Sequence, residues 1–101
     1  MKTIGLIGGL SWQSSAEYYR IMNEEVNRRL GGNHSASLLM WSFDFEAVEQ
    51  KQVAGDWASL DQDLARAARQ LESAGADLLL IGSNTMHRCL PAMKEAVSIP
   101  I

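Results

Sequence analysis

The residues best suited to chemistry are Ser83, Asn84, Thr85 and His87, which with Met86 follow directly on the apolar run Asp77-Leu78-Leu79-Leu80-Ile81 and Gly82. Short hydroxyl and amide side chains can donate to a carboxylate or another anion, and an imidazole can hold or move a proton. Ser, Asn and Thr are also good helix caps, so one of them capping a following helix is the competing explanation. Capping needs one residue and three are present, and the surplus favours a binding site. A serine hydrolase does not fit, because Gly82-Ser83-Asn84 is not part of G-x-S-x-G and no supporting acid is identifiable. A metal site is a poor fit too: His87, Cys89 and His34 stand at no ligand spacing. His87 reads as a hydrogen-bonding support, and Cys89, beside Leu90-Pro91, as a small partly buried residue rather than a nucleophile.

A second group of candidates surrounds Gly8-Gly9-Leu10-Ser11-Trp12, and a third Ser42-Phe43-Asp44. Gly5, Gly8 and Gly9 form G-x-x-G-G, not the dinucleotide fingerprint G-x-G-x-x-G, and Asp44 stands too far on to serve as its ribose-binding acid. There is no G-K-S/T for a phosphate loop. Tight turning and close packing explain these glycines more simply, although their N–H groups can approach an anion at a helix start. Trp41 reads as core. Trp12 and Trp57 could wall a pocket or pack at an edge.

These loops need a scaffold, and the pattern supplies one. Thr3–Ile7, 37–43 and Asp77–Ile81 are short apolar runs released by glycine or polar residues, as in strands buried on both faces. Between them, Tyr18, Met22, Val26 and Leu30 mark a helix over about 15–30, with Ser14 or Ser15 as its cap and Gly31-Gly32 as its stop. Residues 44–52 form a short helix or loop. Leu60, Leu64, Ala67, Ala68 and Leu71 trace a second long helix ending before Gly75, and Pro91 opens a last helix to about Val97. Ser98-Ile99-Pro100-Ile101 reads as the start of a fourth strand. Alternating strands and amphipathic helices specify a three-layer α/β/α fold with a parallel sheet of about four strands. Ligands of such sheets bind beyond the carboxyl ends of the strands, where all three loops should meet.

With 101 residues, 47% hydrophobic and 21% charged, the chain has the composition of one ordinary globular domain. A net charge of −3 and the lack of any Lys/Arg run argue against nucleic acid or an anionic membrane surface as a partner. One cysteine excludes an intramolecular disulfide, and Met1–Gly9 is too short and too weakly basic for a secretory signal, so a cytoplasmic location is expected.

Taken in order, Met1–Trp12, Ser14-Ser15, Tyr18-Tyr19-Arg20, Arg29–Gly32, His34-Ser35-Ala36 and Asn84-Thr85-Met86-His87 closely resemble the aspartate/glutamate racemase family. The resemblance spans the whole chain. It implies a racemase with no cofactor, neither pyridoxal phosphate nor a metal, built from two similar α/β domains with the site in the cleft between them. One base removes the α-proton of aspartate or glutamate from one face and an acid returns a proton to the other. Many members use two cysteines; those similar to this chain often have Thr before the Asn-Thr pair. Here Ser83 takes that catalytic position, and a serine hydroxyl is a weak base unless a neighbour activates it. The resemblance further implies that Asn84 and Thr85 hold the substrate α-carboxylate, and that Leu10 (usually Met in relatives), Ser11 and Gln52 line the pocket. From composition alone Gln52 is only a surface amide.

Relatives continue for about another domain of the usual 100 to 150 residues. Residues 1–101 are thus expected to be the N-terminal half, ending as the fourth strand begins. The missing half would carry the second catalytic cysteine. A non-catalytic carboxylate-binding domain and a racemase-derived scaffold that closes its exposed face as a homodimer are the alternatives.

Overall fold

A computed structural model describes residues 1–101. Three parallel strands, β1 (Ile4–Gly8), β2 (Leu38–Ser42) and β3 (Leu78–Ile81), lie in the order β2-β1-β3. The register pairs Ile4 with Leu38 and with Leu78, so the three strands start together, and β3 ends one residue short of the other two. Helix α1 (Trp12–Leu30) follows β1, α2 (Phe45–Ala54) and α3 (Trp57–Ser73) link β2 to β3, and a 3₁₀ helix (Thr85–Cys89) leads into α4 (Leu90–Ala96). The expected α/β architecture is present.

Strand residues alternate in direction, and this sorts the sheet into two unequal faces. Ile7, Leu79 and Ile81, with the half-buried Leu39 and Trp41, join the core formed by Leu60, Leu64, Ala67, Ala68 and Leu71 of α3, Val48 of α2 and Met93 of α4. The α3 periodicity seen in the sequence is this buried stripe. On the opposite face Leu6 is fully buried, whereas Met40 and Leu80 beside it are each 39% exposed. Only α1 covers that face. It does so narrowly: Ser15 is its one buried residue, and Tyr18 rests against Gly82, whose added Cβ would lie 3.3 Å from the ring.

Two boundaries differ from the sequence expectation. Helix α1 begins at Trp12 with Ser11 as its cap, accepting from Ser14 N–H, rather than near 15 with Ser14 or Ser15. Ser15 is instead turned inward, its hydroxyl accepting the Gly9 N–H at 2.8 Å. The sheet has three strands, with the fourth place begun: Leu79 N–H donates to the Pro100 carbonyl at 2.8 Å, but 98–101 are not a strand. Glu72 seats that segment by accepting from Ser98 N–H (2.9 Å), the Ser98 hydroxyl (3.0 Å) and Ile99 N–H (3.1 Å). These hydrogen bonds, led by that of the Ser98 backbone, hold the Glu72 carboxyl below its ordinary range.

Candidate functional site

Because the three parallel strands end within one residue of each other, their following loops emerge at one edge of the sheet. Two backbone hydrogen bonds tie them together: Phe43 N–H donates to the Gly8 carbonyl at 3.0 Å and Gly82 N–H to the Ile7 carbonyl at 2.8 Å. Gly9 fits only because it is glycine. Its φ is +74°, and a Cβ there would press on the backbone N and O of Phe43, well inside van der Waals contact. Two residues on, Ser11 has φ +141°, a conformation that costs a non-glycine residue of order 1–3 kcal/mol and persists only where its surroundings impose it. The α1 cap and the Ser15–Gly9 hydrogen bond are those surroundings.

The turn after β3 resolves which polar residue caps. Ser83 does: its Oγ accepts Met86 N–H at 3.3 Å, and its carbonyl lies 2.6 Å from His87 Nδ1. Asn84 makes no cap hydrogen bond. The side chains of Asn84 and Thr85 are exposed and have no protein partner, so their donors remain free for a ligand. Met86 is fully buried and Leu10 is 8% exposed, both within the one apolar core. Leu10 thus packs beneath the edge. Gln52, half-buried at the end of α2, places Nε2 3.2 Å from Met86 Sδ and joins that helix to the turn.

The sequence candidates Leu10, Ser11, Gln52, Ser83, Asn84, Thr85 and His87 therefore sit on or directly under the one sheet edge. Trp57 heads α3 with the Arg88 guanidinium 4.2 Å above its ring. Trp12 is 67% exposed. Trp41 stacks edge-on against Phe43 with centroids 6.1 Å apart. Sequence reasoning missed Ser15, the buried hydroxyl that fixes the β1 loop; a serine on the inward side of α1 opposite Gly8 is the signal that could have found it. Cys89 is fully buried, and burial first, then Asp61, pushes its thiol up to about 12, so it is no thiolate nucleophile. No group of His, Cys, Asp and Glu could hold a metal, and no helix is long and apolar enough to cross a membrane. A hollow lined by Glu46, Glu49, Gln50, Val53 and Ala54 belongs to α2 alone, and its acidic lining has the wrong sign for a carboxylate.

A family model described as Asp/Glu/hydantoin racemase matches residues 7–101. Among solved structures, a Yersinia pestis protein described as a candidate Asp/Glu racemase superimposes with a TM-score of 0.96 at 44% identity, covering 99% of this chain and 44% of that one. An aspartate racemase homologue from Pyrococcus horikoshii OT3 gives 0.84 at 31% identity, covering 99% of this chain and 43% of that one. The chain thus spans less than half the length of either.

Proposed function

The chain belongs to the Asp/Glu/hydantoin racemase family, and on that premise we propose that residues 1–101 form the N-terminal half of a cofactor-independent amino-acid racemase acting on aspartate or glutamate. The observation that supports it most is the pair of exposed, unpartnered donors Asn84 and Thr85 at the ligand edge of the sheet, the edge from which the Gly9–Ser11 loop also emerges. In this reading the two side chains hold the α-carboxylate. Ser83 occupies the place of the first proton-transfer residue, Ser11 and Gln52 border the pocket, and Leu10 supports it from below. Neutralising the α-carboxylate is also the chemistry the reaction requires, because charge builds on it as the α-proton leaves.

Proton return to the opposite face needs a second group, which in this proposal comes from the length by which the relatives exceed this chain. One observation favours the alternative, a carboxylate-binding domain without turnover. The Ser83 hydroxyl already accepts Met86 N–H, and no base lies within hydrogen-bonding distance to activate it. Incubating the purified chain with L-aspartate in D₂O separates the two: slow α-deuteration that is lost in Ser83→Ala favours the proposal, and binding with no deuteration at all favours the alternative. The proposal expects binding, with no α-deuteration approaching the roughly 1–10³ s⁻¹ of ordinary enzymes. Deuteration at such a rate would show that one half suffices, and absence of binding would remove both readings.

A further inference from the structure

Three residues complete each turn of a 3₁₀ helix, so side chains three apart stand in one column. Ser83, Met86 and Cys89 form the inner column, half-buried at Ser83 and fully buried at the other two. Asn84 and His87 share an exposed column, and Thr85 and Arg88 share the other. His87 Nδ1 lies 2.6 Å from the Ser83 carbonyl oxygen. A carbonyl only accepts, so Nδ1 carries the hydrogen and the neutral ring presents Nε2 as a bare lone pair. Nothing in the protein fills it. The neighbouring cation, Arg88, is held away on its own column over the Trp57 ring.

An amino-acid zwitterion makes two opposite demands: its carboxylate only accepts hydrogen bonds and its ammonium only donates them. Asn84 and Thr85 answer the first. We infer that His87 Nε2 answers the second, receiving the substrate α-ammonium and so making the turn selective for α-amino acids over carboxylates that lack the amine. The Asn84 amide oxygen is also an acceptor, but His87 alone in the turn has its donor end already fixed by the backbone. The inference rests on the reading of Asn84 and Thr85 as the carboxylate site.

Aspartate and succinate, which differ only by the amine, test it on the full 101-residue chain by amide chemical shifts at Asn84 and Thr85. Wild type is expected to bind aspartate at least about tenfold more tightly than succinate, the size of one charge-assisted hydrogen bond. His87→Asn can still donate to the Ser83 carbonyl but has no Nε2; it is expected to erase that preference and leave succinate binding unchanged. Nitrogen-15 spectra of the wild-type imidazole supply a readout that survives if the variant unfolds: Nδ1 protonated, with Nε2 responding to aspartate and not to succinate. An Nε2–H tautomer, or a preference that survives His87→Asn, overturns the inference. Equal binding of the two ligands by wild type overturns it while leaving the carboxylate site standing. Binding of neither removes both.

Discussion

Replacing Gly9 by alanine tests how the β1 loop is held against β2. Two costs are separable. The first is conformational: at φ +74° an L side chain is strained by roughly 1–2 kcal/mol. The second is steric, since the new methyl would meet Phe43 N and O and come within 2.7 Å of Ser42 Oγ. Backbone atoms cannot rotate aside, so an overpacking penalty of about 1–3 kcal/mol is added. Gly55 isolates the first cost, because its φ is +71° and an added Cβ meets nothing within 4 Å. Gly55→Ala should therefore cost about 1–2 kcal/mol and Gly9→Ala about 2–5 kcal/mol. For a domain of this size each kcal/mol lowers the melting temperature by roughly 4–8 °C. Urea unfolding and calorimetry of the two variants give the difference directly. Equal destabilisation would refute the close approach of Gly9 to Phe43.

Other outcomes follow from single contacts. Ser15→Ala leaves the buried Gly9 N–H without its acceptor and should cost about 1–3 kcal/mol in urea unfolding. Ser83→Ala removes a cap and should cost about 0.5–2 kcal/mol, whereas Asn84→Ala should change stability by less than about 0.5 kcal/mol because that side chain bonds nothing in the protein. Glu72 has a folded-state pKa below its unfolded value, so its contribution is present above the ordinary carboxylate range and is lost as pH falls through the lowered folded value. The gap in urea midpoint between wild type and Glu72→Gln should accordingly close as pH is taken from neutral to acid. A gap that widens in acid would contradict that assignment. Cys89 should resist a thiol reagent in the native state and react at the rate of unfolding.

How much of this was legible beforehand follows from what periodicity encodes. The three strands were visible because each is a short apolar run punctuated by glycine or polar residues, and α3 because its stripe is buried along its whole length. The stripe on α1 was equally visible, yet Tyr18 and Leu30 are exposed in the fold. Spacing reports that a helix has an apolar side, not that a surface exists to cover it. The start of α1 was misplaced because Ser11 caps from a conformation that a serine seldom adopts. At the site, residue types located the turn, but only the 3₁₀ phase showed that Ser83 faces inward with Met86 and that Asn84 and Thr85 are left free.

Calorimetric titration of aspartate into wild type and into the Asn84→Ala, Thr85→Ala double variant probes the proposed binding of an amino-acid carboxylate by those two side chains. Two lost hydrogen bonds to a charged group, at about 1.5–3 kcal/mol each, predict a loss of affinity of at least about 100-fold, with the thermal melting of the double variant close to that of wild type. Undiminished affinity in a folded double variant would rule out Asn84 and Thr85 as the carboxylate site.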